Sequence, residues 1–168
     1  MNSFFDTSRL KADRLLVEHV DQLLSIKWQD DAQNICGTCD RSEFTSLKFK
    51  EFLNHWSNYG YGLWVLSHKS THAFVGLAGY NTVFIAGQEA VELEAVFLND
   101  FCDQGYFQEI CTAIVEKTPE WELPLESLFV ILPADSELSP EAREQLGIKY
   151  ERDVDIRAAA STLHRLEF

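Results

Sequence analysis

No run of 18 or more apolar residues occurs in this chain, and its opening, MNSFFDTSRLKADR, has no basic segment leading into an apolar one. Neither a membrane span nor a secretory signal is therefore expected. Cationic side chains are scarce: 14 Lys and Arg stand against 27 Asp and Glu, a formal net charge of −13. Such a charge repels polyanions, which argues against nucleic acid as a partner, and it steers cationic amines toward the surface. It also serves plain solubility. Cysteine occurs four times, with Cys36 and Cys39 as a lone C-x-x-C in ICGTCDR and no second pair at metal spacing. No metal site is expected, and reduced thiols are the plain reading beside a redox or disulfide role. These absences describe a soluble, cytoplasmic protein.

What is present is apolar and aromatic material, 46% and 12% of 168 residues, enough for one domain with a real core. Residues 1–6 read as a loose lead-in and residues 7–168 as a single domain, with no repeat or proline-rich linker to divide it. Leu10 to Leu16 reads as a strand. Val17, Val20, Leu23, Leu24 and Trp28 recur at helical spacing, and Leu47, Phe49, Phe52, Leu53 and Trp56 give a second helix that ends between Asn58 and Gly62. Strands follow at Leu63 to Ser67 and Ala73 to Tyr80, joined by the polar turn HKSTH, and at Val91 to Leu98 after a turn containing Gly87. A helix over Gln108 to Lys117, a buried strand in LESLFVILP, a short helix in SPEAREQLG and strands near Ile148 to Val154 and Thr162 to Phe168 complete the chain. The order β-α-α-β-β-β-α-β-α-β-β predicts a mixed α/β (α+β) fold, a mixed sheet of about six or seven strands with helices on both faces.

The segment Val91 to Lys117 is the most telling: the strand VELEAVFL empties through NDFCDQGYF into the helix QEICTAIVEK. Unpaired N–H groups and the dipole at such a helix start favour an anion. Gly105 is the one glycine in this loop, flanked by Asp103 and Phe107.

Together with TSRL at 7–10, GYGLWVL at 60–66, FVGLAGY at 74–80, QGYFQE at 104–109 and QLGIKYE at 145–151, this order resembles the GNAT superfamily of N-acetyltransferases, in particular the ribosomal-protein N-terminal acetyltransferases. The resemblance implies acetyl-CoA as co-substrate and direct transfer of its acetyl group to a primary amine, on a small molecule or a peptide N-terminus. It implies neither nucleic acid nor membrane as partner, and leaves a homodimer open. The family's Q/R-x-x-G-x-G/A loop falls on Cys102, Asp103, Gln104, Gly105, Tyr106 and Phe107, with cysteine where a basic or amide residue is usual and phenylalanine where a small one is. The alternative is a binding module of the same fold that has lost the cofactor.

By the same resemblance, Gln104 to Phe107 would cradle the pyrophosphate. Backbone N–H groups of Val96, Phe97 and Leu98 would meet the pantetheine arm, while Ser136 and Arg143 lie where further cofactor contacts are expected. Glu92 matches a family carboxylate that acts as base or water anchor, and Glu94, two residues on, shares its face; ion-paired or solvated strand carboxylates are the plain reading of both. Ser139 stands where the family places its thiolate-protonating group and also fits a helix N-cap. Tyr59 and Tyr61 border the expected acceptor region, with core packing as their plain alternative.

Overall fold

A computed structural model describes residues 4–26, 41–102, 104–121, 128–133, 140–156 and 159–166. Its strands are β1 (Phe4–Asp6), β2 (Leu10–Arg14), β3 (Leu63–His68), β4 (Phe74–Ile85), β5 (Gln88–Phe97), β6 (Leu128–Pro133), β7 (Ile148–Ile156) and β8 (Ala159–Leu166). The helices are α1 (Val20–Leu24), α2 (Arg41–Tyr59), α3 (Tyr106–Lys117) and α4 (Pro140–Gln145), with short 3-10 turns before α1 and on both sides of α3. One eight-stranded sheet runs in the order β1-β2-β3-β4-β5-β6-β8-β7. Every neighbouring pair is antiparallel except β5 and β6. The mixed sheet matches the sequence expectation, with one strand more.

Within the lead-in expected at residues 1–6, that extra strand corrects the reading for Phe4 to Asp6, residues 1–3 lying outside the described residues. Phe4 to Asp6 pairs with Asp13 to Lys11, and the Phe5 ring is buried edge-on against Trp64, 5.0 Å between centroids. The first helix is also smaller than its apolar spacing predicts: Val17 to His19 is a 3-10 turn, Leu23 is buried, and Val17 and Leu24 face solvent. Lys27 and Trp28 lie outside the described residues. Helix α2 begins earlier than expected, at Arg41, and buries Phe49, Phe52 and Trp56.

Trp64, fully buried in mid-strand, sits at the centre of the core, touched by the rings of Phe5, Trp56 and Trp121 at 5.0 to 5.5 Å. The Trp56 indole N–H donates to the Leu63 carbonyl at 2.8 Å, so the ring that joins α2 to β3 is polar-satisfied as well as packed. Strands β4 and β5 form the longest ladder, ten residue pairs closed by a two-residue turn at Ala86 and Gly87, both at positive φ. Two positive φ values in sequence give the primed turn whose twist suits a hairpin. No described helix is long and apolar enough to cross a membrane.

The feature that positions a site is the short pairing of β5 with β6. Among the described residues it comprises Val91 with Leu128 and Glu92 with Phe129. Beyond Glu92 the two strands part: β5 runs on with β4 to Phe97, and β6 runs on with β8 to Pro133. A split opens in the middle of the sheet, and the chain leaving β5 turns at once into α3.

Candidate active site

Antiparallel strands direct successive N–H and C=O groups alternately to either side. The Leu98 N–H donates to the Val75 carbonyl at 2.9 Å, so the backbone groups of Leu98, and by alternation of Val96, are spent on β4. This corrects the expectation that the amides of Val96 and Leu98 are offered to a ligand. By the same alternation Phe97 and Ala95 turn their backbone groups away from β4 toward the split, whereas the Leu93 N–H is taken up by the pairing of Glu92 with Phe129 on β6. Gly76 allows the close approach of β4 to this stretch, since a Cβ there would stand 2.1 Å from the Val96 carbonyl oxygen.

At the far end of β5 lies the loop. Gly105 is the N-cap of α3, in the left-handed region at φ 74°, and no side chain caps this helix. An uncapped N-terminus leaves the first-turn amides for whatever sits before them. Gln104 is fixed by its own side chain, whose amide donates to the Asp100 carbonyl at 2.6 Å. Tyr106 is buried beneath the Arg9 guanidinium, 4.1 Å from ring centroid to Cζ, with Phe101 and His68 at its edges. Its ring therefore points to the β2–β3 side of the sheet. Phe107 is half-buried and packed against the main core. Asp103 lies outside the described residues.

Glu109, which sequence reasoning passed over, is the most heavily hydrogen-bonded side chain of the region. It accepts from Thr7 Oγ1 at 2.5 Å, Ser8 Oγ at 3.1 Å, the Arg9 backbone N–H at 2.7 Å and Arg9 Nε at 2.6 Å. Burial alone would raise its pKa, but these donors outweigh burial and hold the carboxyl at about 2. Arg9 Nη1 reaches on to the Gln104 carbonyl at 3.0 Å. Both partners stand in strings quoted above, TSRL and QGYFQE, yet nothing in one sequence pairs residues 100 apart.

Glu92 is buried, 3% exposed, at the point where β5 and β6 part. Glu94 is half-buried on the same face and accepts a long hydrogen bond from the Asn81 amide at 3.4 Å. The two carboxylates share one face of β5, Glu92 in the last pair with β6 and Glu94 two residues beyond it.

Tyr59 and Tyr61 gather around a residue that sequence reasoning left aside, His55. Its ring stacks on Tyr59 at 4.6 Å and meets Tyr61 edge-on at 5.0 Å. The Tyr61 carbonyl can only accept, so Nδ1, at 2.9 Å, carries the proton; the Thr82 N–H can only donate, so Nε2, at 3.0 Å, is bare. His55 is consequently neutral and fully employed, a pin between α2 and β4 rather than a base. Tyr61 is buried, so core packing accounts for it, whereas Tyr59 is 44% exposed.

Burial lowers the His55 pKa, against smaller opposing effects of the Tyr61 carbonyl and Glu89. His164, buried and near Arg143, is lowered for the same first reason. A folded-state pKa below the unfolded value of 6.5 means that the neutral form stabilises the fold fully above pH 6.5. That contribution fades as pH falls through the folded value. The melting temperature is accordingly expected to drop between pH 7 and pH 5, and to drop less steeply in His55→Gln. Identical pH slopes in the two proteins would contradict the assignment.

Helix α4 is tied to the first turn of α3 by a hydrogen bond from the Gln108 amide to Gln145. Arg143, half-buried on α4, lies near His164 of β8. Ser136, Ser139, Cys36 and Cys39 lie outside the described residues. Cys111 is buried in α3, which pushes its thiol up to about 12, and Cys102 is exposed with Sγ toward the Leu98 carbonyl. Among the described residues no cluster of His, Cys, Asp and Glu could hold a metal ion.

No model of a known protein family matches the sequence. Solved structures match along nearly the whole chain. A protein from Bordetella pertussis assigned to the GnaT-family acetyltransferases superposes with a TM-score of 0.79 at 18% identity, over 97% of this chain and 98% of its own. One from Vibrio cholerae assigned as a ribosomal-protein-serine acetyltransferase gives 0.66 at 18% identity, over 98% of each chain. The microcin C7 self-immunity acetyltransferase MccE, solved with acetyl-CoA and AMP, gives 0.64 at 9% identity over 94% of this chain and 91% of its own. At such identities the likeness is one of fold.

Proposed function

We propose that this chain, which has the GNAT acetyltransferase fold, is an acetyl-CoA-dependent N-acetyltransferase that acts on a primary amine, carried by a small molecule or a peptide N-terminus. The observation that carries the reading is the split between β5 and β6 leading directly into an uncapped helix with left-handed Gly105 at its start. An exposed strand edge fits the amide groups of a pantetheine arm, and the helix start fits its pyrophosphate. A thioester donor of this kind supplies an activated acyl carbon; everything else falls to the protein.

The chain's contribution follows from its geometry. Backbone groups of Ala95 and Phe97 align the donor along β5, and the amides from Gly105 to Gln108 hold its phosphates. Glu92, at the root of the split, takes the proton from the substrate ammonium, directly or through water, so that the free amine attacks the thioester carbonyl. The new C–N bond forms as the C–S bond breaks, and the departing thiolate takes up a proton. No acyl-enzyme is needed: the Cys111 thiol stays protonated, and Cys102 lies at the phosphate end. The net charge of −13 favours encounter with cationic amines.

The binding-module alternative draws its support from Phe107, a half-buried ring at the position where the family has a small residue. A thiol-release assay with acetyl-CoA and a panel of amines, polyamines and peptides separates the two. Turnover with at least one amine is expected, and Glu92→Gln is expected to lower kcat about a hundredfold or more with little change in the KM for acetyl-CoA. Binding of acetyl-CoA without turnover on any acceptor would favour the module.

A further inference from the structure

We infer that the N-terminal segment Thr7–Arg9 braces the anion loop, with Arg9 and Glu109 as positioning residues that keep the Gly105 N–H turned toward bound phosphate. This rests on the transferase reading above. The brace acts on one peptide unit. Arg9 Nη1 holds the Gln104 carbonyl at 3.0 Å, and in a planar trans peptide the following N–H, that of Gly105, must point the opposite way. The amide that starts the anion site is thus oriented from behind by a residue on the other side of the loop.

The brace is itself fixed at both ends. Glu109, one turn into α3, receives four hydrogen bonds from Thr7, Ser8 and Arg9, so the segment is locked to the helix whose start it orients. On the sheet side, Lys69 in the β3–β4 turn donates from Nζ to the Thr7 carbonyl at 2.5 Å and from its backbone N–H to the Arg9 carbonyl at 2.9 Å. The Arg9 guanidinium also lies over the ring of Tyr106, the first residue of α3.

Charge gives the arrangement a second use. A carboxylate in the first turn of α3 would by itself oppose a phosphate at the helix start. Arg9 Nε, 2.6 Å from Glu109 Oε2, offsets that charge and leaves the N-terminal field to the ligand. Lysine could not replace it, because only the planar guanidinium engages Glu109 through Nε, the Gln104 carbonyl through Nη1 and the Tyr106 ring together. Family loops of this type have a basic or amide residue where this chain has Cys102; here the cation beside the loop comes from β2's leading turn instead.

The test compares two acetyl donors, acetyl-CoA and S-acetylpantetheine, which lacks every phosphate. In Arg9→Gln and Arg9→Lys the KM and dissociation constant for acetyl-CoA are expected to rise about tenfold, the scale of a lost charge-assisted hydrogen bond, with kcat at saturation retained. The kcat/KM for S-acetylpantetheine should not move. Glu109→Asp, which keeps the charge but shortens the arm, is expected to do the same and serves if Arg9 variants do not fold. Equal loss toward both donors, or loss toward neither, would overturn the brace while leaving the transferase intact. Failure of the unaltered protein to bind acetyl-CoA would overturn the transferase reading and the brace with it.

Discussion

Trp64→Ala is expected to lower unfolding free energy by about 3 to 5 kcal/mol, the range for deleting a large aromatic from a packed interior. Trp64 is fully buried and carries the contacts of three other rings, Phe5 from β1, Trp56 from α2 and Trp121 beyond α3. Those rings come from elements far apart in sequence, and they cannot all collapse into the space left behind. A loss of this size is a large share of the roughly 5 to 15 kcal/mol by which a domain is stable. Urea denaturation followed by circular dichroism checks it. Trp64→Phe should lose much less, and a Trp64→Ala midpoint within experimental error of the parent would show that this residue is not the hub of the core.

Gly105→Val is expected to act on ligand rather than fold. Gly105 has φ 74°, and a Cβ at this position would come no closer than 3.7 Å to its nearest neighbour, Arg9 Nη2, so space is available and backbone conformation is the sole obstacle. A left-handed L-residue costs about 1 to 3 kcal/mol, and a β-branched one falls at the upper end. If the loop relieves that strain by leaving the left-handed region, the first amides of α3 no longer converge. Affinity for acetyl-CoA should then fall about ten- to a hundredfold, at about 1.4 kcal/mol per factor of ten. Gly105→Asn, which tolerates this conformation, should keep most of the affinity. Equal loss in both variants would point to bulk at the loop instead of its backbone.

Much of the architecture was legible because its signals are local. The alternation and run lengths of Leu63 to Ser67, Val91 to Leu98 and LESLFVILP mark strands, and Lys117 with Pro119 closes α3 as helix stop signals do. Where sequence reasoning fell short, the deciding interactions are non-local. Phe4 to Asp6 is too short to announce itself and exists as a strand because Lys11 to Asp13 lies beside it. Val96 and Leu98 look equivalent to Phe97 in a run of apolar residues; only the register with β4 shows which amides are spent.

The same holds at the site. Glu92 and Glu94 were legible as a pair, since two residues of spacing on a strand fix a common face. His55 was not, because a histidine at the end of an amphipathic helix carries no mark of the Thr82 and Tyr61 backbone groups that will hold it. Glu109 and Arg9 each look like ordinary surface charges until the fold joins them.

The central claim, that the split sheet and uncapped helix bind the thioester donor, is tested most directly by titrating the protein with acetyl-CoA while following backbone amide resonances. Saturable binding below about 1 mM is predicted, with the largest shifts at Ala95, Phe97 and Gly105 to Gln108 and little at Val96 and Leu98. No saturable binding at millimolar acetyl-CoA, or shifts confined to residues away from the β5–β6 split, would contradict it.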